Sequence, residues 1–556
     1  MPSASALAPA LVLATAALLG WGLGRVGVER ANLLAPAGAW LALGALLGVW
    51  FGAGRVALEL NLPGSLGGAP LSLRLDAVAV AFGTTILLPT ALLLSFQERS
   101  CQEAAVGALA AAASLLAAEA GSVLLTAVAL SGCASLVLFA LRLEAAEQPT
   151  AGYWVSLSLA ALLLLWAATV LEVTGGTSVY SAAPITALSV PVFLLLAAAG
   201  LLCSGLLPGW SWVSQVWRRD RLEAGSLAVV LLTPVGFLLL TRAYVLGAGQ
   251  WPSPALNFGL AALGAVTALA AGLRAQAAVS RLAFLGEAIP LGGGIALLSL
   301  ALGTPLGVTA AVLAIAGAAL VGALVPLLPA GGPAALLGLA LVIGVPPALV
   351  FGGRLLALQA AIEAGAPGSF LALAGVGAWL LAVAGVARVP RLPAGGKLRG
   401  RRLGGLLAVA ICLLGGVGLG ALATTLAAPV AAATVGSPAA TLSGGYLSVQ
   451  TASGGWAALT LGGPLLLLAL GAAFLSRRVW SRWPALALSS KGVPPPLVDV
   501  PIGGLGRRLG RRRAGFRLPG YFRTLLDPAV LERAASSGSP LLWGAATVVL
   551  MVAVTR

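Results

Sequence analysis

Long unbroken apolar runs constrain this chain more than any other feature; AVGALAAAASLLAA and GPLLLLALGAAFL are examples. Inside a bilayer every backbone N–H and C=O must be satisfied within the protein, which leaves only helices and closed barrels as spanning structures. Barrel strands alternate apolar and polar residues, and these runs do not. Hydrophobic residues make up 60% of the chain and charged ones 9%, whereas a soluble domain carries roughly 25% charged residues. At about 20 apolar residues per crossing, the length accommodates about 14–16 transmembrane helices. The expected fold class is an all-α polytopic membrane protein. Spans are expected over 5–24, 32–53, 75–96, 103–120, 121–142, 152–172, 186–207, 224–247, 254–273, 279–302, 307–328, 333–352, 369–389, 403–426, 456–476 and 540–555.

The formal charge is +16, nearly all of it arginine, since Lys397 and Lys491 are the only lysines. In a chain this apolar, arginines mark the cytoplasmic loops, so no nucleic-acid partner is expected. With the spans above, an even number of crossings separates each charged segment from the next, and all fall on one face. Residues 55–76 lie on the other face. There RVALELNLPGSLGGAPLSLRLD alternates around Pro-Gly and Gly-Gly, which predicts a β-hairpin. Histidine is absent and the four cysteines (Cys101, Cys133, Cys203, Cys412) are far apart. No metal, cofactor or disulfide is expected from such spacing. The first apolar run lacks a basic leader and a small-residue cleavage site, so it reads as a retained helix. Residues 480–539 carry Pro494–Pro496 and RRLGRRR and read as a basic cytoplasmic segment near anionic headgroups.

Three stretches occur in a telling order: LRLDAVAVAF from Leu73, RAQAAVSRLAFLGEAIPLGGGIALL from Arg274, and LALVIGVPPALVFGGRLLALQAAIEAG from Leu339. This succession resembles the antiporter-like membrane subunits of respiratory complex I, membrane-bound hydrogenases and multisubunit sodium/proton antiporters. The corresponding family stretches read like LRLDGLSxLF, DLKRLLAYSSIxQxGY and GIPPLxGFFGKxxLLxAALxAG. The resemblance implies two inverted five-helix repeats, each with a broken helix, a common transporter device. It divides the chain into N-terminal helices and hairpin (1–72), an antiporter-like core (73–390), extra C-terminal helices (391–479), the basic segment (480–539) and a last helix (540–556). It implies other membrane subunits as partners. NADH or quinone chemistry would belong to those partners, and no catalytic site is expected in this chain.

The family moves protons along buried Glu, Lys and His side chains whose charges perturb one another. At the matching positions this chain has Ala129 for the Glu, Cys203 for the first Lys, and Thr233 or Val229 in the next helix. Ser280 replaces the Lys of the DLKR-like segment, with Arg281 at the following Arg, and Gly322 falls at the second-repeat Lys. Arg354 alone keeps a cation, and arginine does not release its proton readily. The ion-pathway candidates are therefore Glu287, Arg281, Arg354 and Glu119, with an Arg281–Glu287 pair expected. Glu172, Arg242 and Glu363 lie near expected helix ends and read as snorkelling side chains. Pro234, Pro290, Pro346 and Pro347 are expected helix breaks, because proline removes a backbone donor and clashes with the preceding turn.

Three functions follow as expectations. The chain is an ion-translocating subunit of a complex I-type or cation-antiporter-type assembly with a degenerate proton path, a structural subunit that has lost conduction, or a stand-alone transporter. Each places it as a multi-pass protein in a bacterial plasma membrane or a thylakoid-type membrane.

Overall fold

A computed structural model of the chain describes residues 2–457 apart from 29, 67–68, 97–98, 145–150, 217–222, 277, 279–280, 328–337, 339, 387–401, 437–446 and 452–453, together with 464 and 467. Among the described residues, eleven helices are long and apolar enough to cross a membrane, or twelve with one bent pair counted as a span. The chain is an all-α multi-pass membrane protein. The basic segment 480–539 and the expected span 540–555 lie outside the described residues.

Two helices, α1 (Ala8–Arg25) and α2 (Leu34–Gly52), lead into the expected hairpin. Its strands β1 (Leu58–Leu66) and β2 (Ala69–Leu75) pair antiparallel, with Leu58 opposite Leu75 and Asn61 opposite Ser72. Leu73 and Leu75 are buried while Arg74 between them is half-buried, the two-residue alternation of a strand with one covered face. Asp76 then starts α3 (Ala77–Phe96), its Oδ1 accepting the Ala79 N–H at 3.0 Å. A short acidic side chain here satisfies one of the unpaired donors of the first turn.

Two matching series follow. The first is α4 (Cys101–Glu119), α5 (Val123–Glu144), α6 (Ala151–Gly175), α7 (Val190–Ser204) with α8 (Trp210–Val216), and α9 (Glu223–Leu246). The second is α10 (Pro254–Gln276), α11 (Arg281–Gly286) with α12 (Ala288–Ala301), α13 (Pro305–Leu327), a helical stretch over 340–343 with α14 (Leu349–Glu363), and α15 (Ala366–Val386). Each series makes five crossings, and in each the fourth is interrupted. Five is odd, so the second series begins on the opposite face, and the repeats are inverted. Both interruptions begin on a left-handed glycine, Gly205 at φ 69° and Gly344 at φ 81°. A residue with a Cβ rarely adopts that backbone, and it stops a helix.

The structure corrects several sequence expectations. Pro290 sits in the first turn of α12, and the break that it accompanies lies one turn earlier, at Glu287, where its missing N–H leaves Gly286 O without a helical donor. Pro234 lies inside a continuous α9. The expected span 403–426 is bent, with 79° between Val409–Val417 and Leu419–Val435. It comprises α16 (Arg402–Val417), α17 (Leu419–Leu422), a π-helical turn Ala423–Ala427 and α18 (Ala428–Val435). The expected span 456–476 does not start as a helix, because Trp456 belongs to a hairpin of β3 (Ser448–Thr451) and β4 (Gly454–Ala457). Most of the remainder of that span lies outside the described residues.

Contacts between loops separate two faces. Arg99 reaches Glu223 at 3.6 Å, and Gly24 packs directly on Cys101. Three of the charged segments that parity assigned to one face, those after α1, after α3 and before α9, thus meet there. On the other face strand β2, the α4–α5 turn and the α6–α7 loop are stitched together by Gly121 N to Ser72 O at 2.8 Å and Val123 N to Ser178 O at 3.0 Å. Gly249, after α9, packs on Val435 at the end of α18, which brings β3–β4 to this hairpin side as well.

Candidate functional site

On the hairpin side a buried ion pair joins the start of α3 to α9, the last helix of the first repeat. Arg242 of α9 donates from Nη1 to Asp76 Oδ2 at 2.5 Å and from Nη2 to Asp76 Oδ1 at 3.0 Å. Such a two-pronged pair matches the planar guanidinium to a carboxylate. Arg74 adds a second cation to Asp76 at 2.9 Å and reaches Glu59 at 3.4 Å. Burial resists a charge on Asp76, but Arg242 and Arg74 outweigh it and hold the carboxyl below the usual carboxylate range. The expectation that Arg242 snorkels is overturned, since it is 1% exposed. The apolar residues of α9 are enclosed by other helices, so a charge on this helix must find its partner inside. Glu172 is half-buried and accepts the Ser178 N–H at 2.7 Å, whereas Glu363 is exposed at the end of α14.

Glu119, the last residue of α4, is 0% exposed. Neither carboxylate oxygen has a hydrogen-bond partner among the described residues. Proximity to a helix end did not expose it, because the turn that follows is covered by the β1–β2 hairpin.

The second cluster joins the two repeats. Glu287, at the joint of α11 and α12, accepts from Arg274 Nε of α10 at 2.9 Å. Arg274 in turn stacks over Trp210 at 4.8 Å, the first residue of α8 in the interrupted crossing of the other repeat. Arg274 is thus a partner of Glu287 that the sequence did not point to; Arg281, the expected partner, opens α11, and its side chain lies outside the described ones. One residue further on, the Ala288 carbonyl accepts from Arg354 Nη2 at 3.2 Å, and Arg354 Nη1 donates to Ile343 O at 2.6 Å. Arg354 is 3% exposed, and among the described residues no carboxylate pairs with it. It lies one and a half turns into α14 and reaches back to the carbonyl that the break at Gly344–Pro347 leaves without a helical donor. Trp379 of α15 donates to the next freed carbonyl, Gly344 O, at 3.2 Å. Pro346 and Pro347 do break their helix as expected.

Between these clusters no charged side chain is buried among the described residues. A Cβ placed on Gly322 would lie 3.1 Å from Val230 Cγ2 and 3.4 Å from Val229 Cγ1. A Cβ on Gly322 would thus already be in tight contact with α9, at Val229, which with Thr233 is one of the two α9 positions where the resemblance implies a cation. Cys203 donates to Leu232 O at 3.2 Å, Ser114 to Leu231 O at 3.0 Å and Thr233 to Ser204 O at 3.4 Å. Cys203 and Ser114 thus bond the α9 backbone just before Pro234, and Thr233 of α9 bonds the α7 backbone in return. Ala129 is buried in α5.

Sequence reasoning missed Asp76, Arg242 and Arg274 as members of buried pairs. A signal did exist: Asp76 starts a span in a chain with only 16 acidic residues. A buried charge in so apolar a protein implies a partner.

No family model matches the sequence, and no curated protein matches it. Solved structures do match. A chain of the Mrp complex from Dietzia sp. DQ12-45-1b superposes with TM-score 0.69 at 20% identity, covering 95% of this chain and 64% of that one. The membrane-bound sulfane sulfur reductase, an archaeal respiratory membrane complex, has a chain matching with TM-score 0.67 at 17% identity over 84% of both chains. In respiratory complex I from Thermus thermophilus with bound NADH, a chain matches with TM-score 0.61 at 22% identity, covering 77% of this chain and 98% of that one. The chain thus spans less than two thirds of the Mrp-complex chain and nearly all of the complex I chain. At these identities the likeness is one of fold: this protein has the antiporter-like fold found in the membrane parts of Mrp, sulfane sulfur reductase and complex I assemblies.

Proposed function

We propose that this chain is a membrane subunit of a multisubunit respiratory or cation-antiporter-type assembly, with other membrane subunits as its partners. It keeps the antiporter fold while its own proton path is interrupted. The contact of Gly322 with Val229 and Val230 carries the reading. A proton wire needs groups that gain and lose protons, close enough for water to bridge them, and apolar packing at the meeting point of the repeats supplies neither. Beside it, Glu287 is held by Arg274, and Arg354 is bonded to two backbone carbonyls. An arginine does not titrate near neutral pH. In this reading the interior charges stabilise helix ends and breaks, and any coupling to electron transfer resides in the partners.

Reconstituted in vesicles under a pH gradient, the full chain is expected to pass protons no faster than empty vesicles. Glu287→Gln is expected to impair folding or assembly more than ion movement by the assembly. Robust proton or sodium flux that Glu287→Gln abolishes, with assembly intact, would overturn the scaffold reading and make the chain a pump subunit. A conducting role has one observation in its favour, the buried Glu119 carboxyl. Flux that survives Glu287→Gln and is lost in Glu119→Gln would point there.

A further inference from the structure

Two carboxyl groups are buried on the hairpin side, and what stabilises charge on one is missing from the other. Asp76 stands at the start of α3, where the positive end of a helix favours an anion, and it holds Arg242 and Arg74. Glu119 is the last residue of α4, at the negative end of its helix, which disfavours an anion. It is 0% exposed, and among the described residues neither of its oxygens has a hydrogen-bond partner. Arg242 reaches the residue before it, yet donates there to Ala118 O at 3.4 Å and otherwise to Asp76. Arg74 is likewise engaged by Asp76 and Glu59. The Tyr180 hydroxyl shares a hydrogen bond with Thr126 at 3.2 Å, and Glu172 accepts the Ser178 N–H at 2.7 Å.

The turn that follows Glu119 shields it from solvent, because it runs as a short strand between two others. Ala120 pairs with Leu73 on one side and Ser122 with Val179 on the other. Tyr180 N donates to Gly121 O at 2.9 Å, beside the two bonds that tie the turn to Ser72 and Ser178. Ala120 is 1% exposed and Leu73 and Ser122 are 0% exposed. A Cβ on Gly121 would fall 2.5 Å from Ser72 Oγ, so the turn lies directly on β2. A carboxylate with neither partner nor water costs far more to bury than its neutral acid. We propose that Glu119 is a proton-binding site, at which the folded chain holds one proton under the clasp of β2, the turn and residues 178–180. The site is distinct from Ala129, where the resemblance implies a glutamate, and from Glu287, and it does not depend on the scaffold reading.

Infrared absorption of the full chain in vesicles at neutral pH, compared with Glu119→Gln, tests this. Wild type is expected to show the C=O stretch of an un-ionised carboxyl, shifted in heavy water, that Glu119→Gln removes. Glutamine keeps the shape of the neutral acid but cannot ionise. The variant should therefore melt at the wild-type temperature at neutral pH and lose less stability than wild type in alkaline buffer. Should Glu119→Gln not fold, Glu119→Met, apolar and of similar length, supplies the comparison. A folded wild type without the band overturns the proposal, and so does a band that the substitution leaves unchanged. A wild-type melting temperature raised by sodium chloride but not by choline chloride, and insensitive to sodium in Glu119→Gln, would make Glu119 an ionised cation site and overturn it as well. Proton flux tests the scaffold reading and the carboxyl band tests Glu119, so the two fail separately.

Discussion

At the residue scale the Asp76–Arg242 pair makes the firmest prediction. Both side chains are nearly inaccessible, at 6% and 1%, so removing one partner leaves the other charge in a place that cannot solvate it. Breaking a buried pair this way costs about 3–5 kcal/mol. Asp76→Asn should lower the thermal stability of the purified chain accordingly, and combining it with Arg242→Gln should recover part of the loss. A single-variant effect below about 1 kcal/mol would mean that solvent reaches the pair. The sign with pH follows from a carboxyl held below its ordinary value. The stabilisation is fully present above the unfolded carboxylate range and is lost as pH falls through the lower folded value. The gap between wild type and Asp76→Asn should then stay constant from about pH 8 to about pH 5 and close only in stronger acid. Asp76 at the start of a span signals a buried partner, but which one was not legible in the sequence, because Arg242 is 166 positions away and sits where an isolated charge would be expected to reach for water. Glu287 teaches the same lesson at shorter range. Its carboxylate is met by Arg274 on the neighbouring helix, 13 positions away.

At the element scale, glycine spacing controls how closely helices approach. A Cβ on Gly294 of α12 would fall 2.6 Å from both Ala268 N and Gly264 O of α10, and backbone atoms cannot yield as a side chain end can. Small residues serve this role in membranes, where packing rather than water drives helix association. Gly294→Ala should cost about 1–3 kcal/mol, as overpacking does. Gly259→Ala on the same α10 meets nothing within 4 Å. It should be neutral or stabilise by about 0.5–1 kcal/mol through helix propensity. Thermal unfolding of the two variants side by side checks the contrast, and equal effects would contradict close α10–α12 packing. The break at Gly344–Pro347 was legible because two adjacent prolines act locally. Hairpin β3–β4 was not, because a short apolar run reads alike as a buried strand or a helix, and tertiary packing decides between them.

For the whole molecule, the consistent grouping of loops on two faces predicts the topology. Introduced on a cysteine-free background, Ser489→Cys and Ser536→Cys should react with an impermeant maleimide only after the cytoplasmic side is opened. Labelling of intact cells from outside would invert the arrangement. The sequence by itself determined that this is a multi-pass helical bundle with a hairpin before α3 and a break at Gly344–Pro347. Those features follow from rules that act within a few residues: backbone satisfaction in lipid, two-residue alternation, and proline's missing donor. Only the tertiary structure decided which charges meet, that Gly322 closes on Val229 and Val230, and that Trp456 turns inward. The reason is physical. In an apolar bundle the few polar groups are satisfied by whichever helices packing brings beside them, and that proximity is a property of the assembled repeats, absent from any local stretch of chain.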